Sequence, residues 1–187
     1  TAFIFVFGMI GCSDDDDPPT GGGGGDNTAT STWDATNGYW SSNVDGSNPD
    51  AFTYFSFTTK DTVTNAGAKP TADIWDIGFR REEIKTNGGT STNNSGDIMG
   101  VSLGVVDFDA VTIADTAGVE WMEDYIDLFI DDWYDYNPTT HQLTANQNVY
   151  SMLDASGDHM VKFQIDSMVG GGQPPDMGNV YLKYFCQ

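Results

Sequence analysis

The side chains that could do chemistry are few. The chain holds two histidines, His141 and His159, two cysteines, Cys12 and Cys186, and a large surplus of carboxylates, 28 Asp and Glu against 7 Lys and Arg. No P-loop, dinucleotide fingerprint, nucleophile elbow or Cys-x-x-Cys occurs. The run Gly21 to Gly25 lacks the preceding strand and following helix that a phosphate cradle requires. Two histidines and one remote domain cysteine are a poor set for tetrahedral zinc. Asp124, Asp127, Asp131, Asp132 and Asp135 could gather around calcium, but the Asp-x-Asp-x-Asp-Gly spacing of a dedicated loop is absent. Nothing singles out a carboxylate pair for glycoside hydrolysis. The chain therefore reads as a binding protein and not an enzyme.

The elements that must position these residues begin with an apolar run, 2–10, far shorter than the ~20 residues a membrane-spanning helix needs. It reads as the end of a signal-peptide h-region whose first residues lie upstream of Thr1. Met9-Ile10-Gly11-Cys12 resembles the lipobox of bacterial lipoproteins, in which the cysteine is acylated and becomes the first residue. With Cys12 committed to lipid, no disulfide framework is expected, and Cys186 reads as a small buried hydrophobe on a terminal strand. Ser13, the four aspartates Asp14 to Asp17, two prolines and five glycines follow. They cannot bury apolar surface and form a flexible spacer. The Ser-plus-Asp run also resembles the signal that sends lipoproteins of the Bacteroidetes to the outer face of the outer membrane. The organisation is therefore a signal-peptide end over 1–11, a tether over 12–32 and one domain over 33–187.

That domain reads as all-β. Phe52 to Thr58 and Ile74 to Arg80 are aromatic and β-branched runs, and Ile98 to Val106 returns to strand character after a polar loop. The clearest hairpin has arms Asn148 to Leu153 and Met160 to Asp166 about a turn at Asp154 to Asp158. Its second arm alternates, with Val161, Phe163 and Ile165 on one side and Lys162, Gln164 and Asp166 on the other. A last strand over Asn179 to Phe185 suggests an antiparallel meander. Val119 to Trp133, with apolar residues three or four apart, leaves a short helix open as an alternative. The net charge of -21 gives a phosphate backbone nothing to bind, so nucleic acid is excluded as a partner.

Three stretches carry a family resemblance: Tyr54-Phe55-Ser56-Phe57; then Trp75-Asp76-Ile77-Gly78-Phe79-Arg80-Arg81 with Thr86-Asn87-Gly88-Gly89; then Trp133-Tyr134-Asp135-Tyr136-Asn137-Pro138 with the hairpin behind it. Over roughly residues 50–187 their order and spacing resemble the HmuY family of haem-binding lipoproteins. The resemblance implies a single HmuY-like β domain, a surface-exposed lipid-anchored location at the outer membrane, non-covalent haem binding, and hand-off to a TonB-dependent haem transporter. Haem-binding members grip the iron through two axial side chains, histidines in some and methionines in others. Here the resemblance points to His141, a few residues from one family histidine position, and to Met122, the thioether of the segment Asp109 to Asp132. His/Met ligation is chemically acceptable.

Plainer readings stand beside these. His141 is also suited to begin an edge strand, Met122 to fill a core stripe and His159 to sit in solvent beside a turn. Trp75, Phe79 and Trp133 read as core or cleft wall, and Asp76 as an ion-pair partner of Arg80 or Arg81. The rival function is a surface lipoprotein without haem, adhesive or structural in role.

Overall fold

The computed structural model describes residues 29–63, 74–89, 96, 98–123, 128–169 and 178–186. Cys12 and residues 13–28 of the expected tether lie outside them, while Thr30, Ser31 and Thr32, also assigned to the tether from sequence, belong to the first strand. Within them the chain is built of strands: β1 (Thr30–Asp34), β2 (Tyr39–Asp45), β3 (Thr53–Ser56), β4 (Asp61–Thr62), β5 (Ile77–Arg80), β6 (Glu83–Thr86), β7 (Met99–Ser102), β8 (Met122–Glu123), β9 (Tyr134–Asn137), β10 (Gln142–Ala145), β11 (Val149–Leu153), β12 (Met160–Val169) and β13 (Asn179–Cys186). All pairings are antiparallel, as the alternating sequence pattern predicts.

The strands form a seven-stranded sheet in the order β1-β2-β13-β12-β11-β7-β8, a four-stranded sheet β4-β3-β5-β6, and the separate hairpin β9-β10. The meander expected from the sequence runs through β11, β12 and β13. Elsewhere β13 returns to pair with β2, and β11 pairs with β7, so distant parts of the chain are neighbours.

The hairpin β11–β12 has the register that the alternation requires, pairing Tyr150 with Phe163 and Met152 with Val161, and its second arm continues to Val169. Val161, Phe163 and Ile165 are buried, joined by Val180, Leu182 and Tyr184 of β13. Facing them from the smaller sheet are Phe55, Ile77 and Phe79, with Phe57 just past β3. Phe57 lies 5.4 Å from Phe163 and 4.9 Å from Tyr184, ring centre to ring centre, and Phe55 lies 5.8 Å from Tyr184. The two sheets thus close one aromatic core, the arrangement in which each buries the apolar face it cannot leave in water.

Among the described residues there is no α-helix, only 3-10 turns at Phe108–Ala110 and Ile113–Thr116. In 119–133, residues 124–127 lie outside the described set. Met122 and Glu123 form β8, and the chain then folds into tight turns, with Asp131 N donating to Leu128 O and Trp133 N to Ile130 O. Bonds from i+3 back to i bring apolar residues to one side at helix-like spacing, which is why Phe129, Ile130 and Trp133 all reach the core without a helix. Gly100 makes room for them: a Cβ there would stand 2.2 Å from the Phe129 ring.

Candidate functional site

The most specific sequence element turns out to be a structural corner. Trp75 and Asp76 lead into β5, and Asn87 follows β6. Asn87 N donates to Asp76 O at 3.0 Å and Asn87 Nδ2 donates to Trp75 O at 2.8 Å. The Trp-Asp and Thr-Asn-Gly-Gly segments therefore bind each other, and Gly88 lets Ile98 approach where a Cβ would lie 2.5 Å from its carbonyl. Asp76 is not an arginine partner. Its Oδ2 accepts from Phe57 N and its Oδ1 from Ala155 N, both at 2.7 Å, while Arg80 pairs with Glu83. One buried carboxylate thus ties β3 and the β11–β12 turn to the start of β5. Burial raises its pKa to about 6, opposed by the Ala155 and Phe57 N–H groups and reinforced by the charge of Asp154.

Asp154, which sequence reasoning passed over, opens the β11–β12 turn and is itself buried. It accepts from Ser156 Oγ and the N–H of Asp158, and lies 2.8 Å from His159 Nδ1. Burial pushes its pKa up, but the Ser156 and His159 bonds outweigh that and hold it below the usual value. An aspartate opening an Asp-x-Ser-Gly-Asp turn was the available signal. His159 is accordingly half-buried and engaged, not a solvent-facing turn residue.

Trp75, Phe79 and Trp133 are core residues. Trp75 packs against Tyr54 with the rings tilted at 57° and their centres 4.6 Å apart, in a small outer cluster that Phe52 extends and the Lys85 ammonium covers, 4.2 Å from the Phe52 ring centre. Trp133 donates from Nε1 to Glu82 O at 3.2 Å, placing the entry to the β9–β10 hairpin beside the β5–β6 turn. At that entry Tyr150 donates to Asp132 Oδ1 at 3.1 Å, and burial drives the Tyr150 pKa well above its ordinary range.

The β9–β10 hairpin carries His141. Asn137 closes the loop: its backbone oxygen accepts from His141 N at 2.8 Å, and its side-chain oxygen accepts from Thr139 N at 2.9 Å and Thr140 N at 3.2 Å. Such a loop needs a left-handed residue before the second strand, and His141 fills that place with φ +56. The imidazole is exposed and its Nδ1 lies 2.6 Å from the Tyr136 hydroxyl. Tyr136 was not singled out from sequence, because a contact across a hairpin loop depends on a register that the sequence leaves open.

Met122 lies on β8 at the rim of the seven-stranded sheet, opposite Gly100, and is 40% exposed. It therefore does not belong to the core, unlike Met152, which is fully buried. His141 and Met122 stand on different sheets and share no strand pairing. No group of three or more His, Cys, Asp or Glu side chains suited to a metal ion occurs among the described residues, and Asp124 and Asp127 of the calcium alternative lie outside them. As a donor set for haem the two residues are suitable in kind: one imidazole with a single nitrogen engaged and one accessible thioether.

Cys186 ends β13, buried within the core as expected, with its sulfur 3.9 Å from Phe57 O. The sequence has one other cysteine, Cys12, outside the described residues. No helix of the described residues is long and apolar enough to cross a membrane.

Comparison with known proteins agrees with the sheet architecture. A family model described as HmuY protein matches residues 48–184. The crystal structure of an apo HmuY analog from Tannerella forsythia superposes with a TM-score of 0.54 at 12% identity, covering 85% of this chain and 96% of that one. A candidate lipoprotein from Bacteroides fragilis gives a TM-score of 0.47 at 17% identity, covering 82% of this chain and 93% of that one. No curated protein matches the chain.

Proposed function

The chain belongs to the HmuY family, and from that membership we propose that it is a surface-exposed, lipid-anchored protein that binds haem non-covalently and hands it to an uptake system. The observation that carries the reading at residue level is His141, an exposed imidazole set on a strained, hydrogen-bonded loop with Nδ1 engaged. Haem would supply a flat apolar ring and an iron with open axial positions. His141 would hold that iron through Nε2, and Met122 through its thioether. Both side chains are exposed and so can meet a ligand without unfolding the core.

Haemin titrated into the purified protein is expected to sharpen and shift the Soret band. His141→Ala should weaken binding strongly, and Met122→Ala should change the band position by replacing sulfur with water or a weaker donor. No spectral change in the wild-type protein would overturn the haem reading and leave the adhesive or structural lipoprotein as the function. An unchanged spectrum in both variants would overturn the ligand assignment alone.

The anchor is proposed at Cys12, with the Asp- and Gly-rich segment as spacer to the outer membrane and a TonB-dependent transporter as recipient. The chemical state of the Cys12 sulfur decides the anchor. Intact-mass measurement of protein extracted from membranes should show a diacylglyceryl adduct on a chain that begins at Cys12, lost in Cys12→Ala. An unmodified mass from the membrane fraction would refute the anchor.

A further inference from the structure

We propose that residues 104–118, within the connection from β7 to β8, form a strap that opens as one unit from the outer face of the seven-stranded sheet, hinged at Gly104 and Gly118 and latched by the Lys162 ammonium. The latch sits where sequence alternation suggests water. Lys162 points away from the Phe163 core, yet it is half-buried, and its Nζ donates to Phe108 O at 2.8 Å and to Val111 O at 3.1 Å. Of the 7 Lys and Arg in the chain, the strands of this sheet carry Lys162 and Lys183. Both face the same ring of the strap, their Nζ atoms lying 4.5 Å and 5.0 Å from the Phe108 centre, while Tyr39 meets that ring edge-on at 5.6 Å. Carbonyls and a π face thus replace the water that the Lys162 ammonium loses. Burial pulls the Lys162 pKa down, opposed by the charges of Asp109 and Asp107 on the strap and reinforced by Lys183.

Two further features make the strap a unit that can leave. It satisfies much of its own backbone: Ala110 N donates to Asp107 O, Val111 N to Phe108 O and Asp115 N to Thr112 O, while Asp115 Oδ2 accepts from Thr112 N and Oγ1. Little of it is anchored by apolar burial, since Phe108 and Val111 are buried but Val105 and Val106 are 72% and 43% exposed. The hinges are the second feature. Gly104 has φ +73 and Gly118 φ +80, and a Cβ at either would meet nothing within 4 Å. Glycine stands there for the backbone turn and not for packing, with open space in which the turn can change. Leu103 N and Gly104 O still pair with Val149, which fixes the near side of the first hinge. Opening would uncover Val149, which Phe108 and Val111 now cover, and free the edge strand β8 that follows Gly118.

Thiol labelling of the full chain tests this, with the modified cysteine located by peptide mass. Val149→Cys, beneath the strap, should react at a rate that low urea barely changes. Val180→Cys, fully buried between the two sheets, should react only as the whole domain unfolds. Adding Lys162→Met, which keeps an apolar stem and removes the donor, should speed labelling of Val149→Cys by roughly 10- to 100-fold and leave Val180→Cys unchanged. Chymotrypsin cleavage after Phe108 gives the same reading in a chain without added cysteines, and should accelerate in Lys162→Met by a similar factor. Labelling of Val149→Cys no faster than that of Val180→Cys would overturn the separate opening. Rates in Lys162→Met that are unchanged at Val149→Cys, or raised equally at both sites, would overturn the latch.

Discussion

The Asp76 corner and the β9–β10 hairpin both place polar side chains at strand ends, yet they dispose of them in opposite ways. At the corner every strong acceptor turns inward. Asp76 ties Phe57 to Ala155, Asn87 holds Trp75, and Asp154 gathers Ser156, Asp158 and His159. At the hairpin the loop satisfies its own backbone through Asn137 and leaves the His141 imidazole in solvent, tied by one nitrogen. Buried polar groups of the first kind specify a fold, since each costs heavily if it loses its partner. Exposed groups of the second kind add little stability and are free to meet a ligand. The family's most recognisable residues thus belong to the scaffold, while His141, proposed to touch haem, sits on a hairpin that the scaffold merely carries.

The largest effect that would break this contrast is at Asp76. Asp76→Ala strands two buried N–H groups, of Phe57 and Ala155, and each unsatisfied buried donor costs about 1–3 kcal/mol. Urea unfolding should show a loss of about 4 kcal/mol, with haemin affinity of the folded fraction unchanged. A comparable loss from Tyr136→Phe or His141→Ala would dissolve the distinction between the two regions.

The pH dependence of stability sharpens the same point. Asp76 has a folded pKa raised by burial to about 6 from 3.8, so between those values the folded state holds a proton that the unfolded state has released. Its contribution is therefore fully present below the unfolded value and lost as pH rises toward 6, about 3 kcal/mol in all. Asp154 runs the other way. Its pKa is lowered, so its stabilisation is present above 3.8 and lost only as pH falls through its folded value. Urea midpoints should consequently rise on acidification from pH 7 to pH 4.5. Relief of the repulsion among 28 acidic residues adds to that slope, so Asp76→Asn is the control that isolates the carboxylate. If the slope is the same in Asp76→Asn, the carboxylate is not the source.

How much of this was legible beforehand follows from the same contrast. The β11–β12 hairpin could be read from alternation because one face is buried and the other wet, and the structure pairs Tyr150 with Phe163 as that pattern demands. The family resemblance of residues around Trp75 and Asn87 was visible as well. Their mutual hydrogen bonds were not, because bonds from side chain to backbone across twelve residues leave no periodic trace. The helix alternative over 119–133 misled for a definite reason: successive i to i+3 turns reproduce helical spacing over one or two turns. At the site, His141 and Met122 could be named by residue type. The Tyr136 contact could not, since it needs the hairpin register and a left-handed loop residue, both set by Asn137.

The smallest expected change is also the one of opposite sign. At φ +56 a residue with a Cβ is strained relative to glycine, by about 1 kcal/mol at a single position. His141→Gly should therefore leave the protein as stable as the wild type or slightly more so, while removing the imidazole. The prediction is a midpoint of urea unfolding that is level or raised by about 1 kcal/mol, together with a haemin titration as weak as that of His141→Ala. A residue retained for the loop's own sake would give the reverse, since its loss would lower the midpoint and leave haemin binding intact. Only a side chain kept at a cost to the backbone for what it binds predicts improved folding with lost ligation, and that pairing separates the hairpin from the Asp76 corner, where loss of the side chain lowers stability and spares binding.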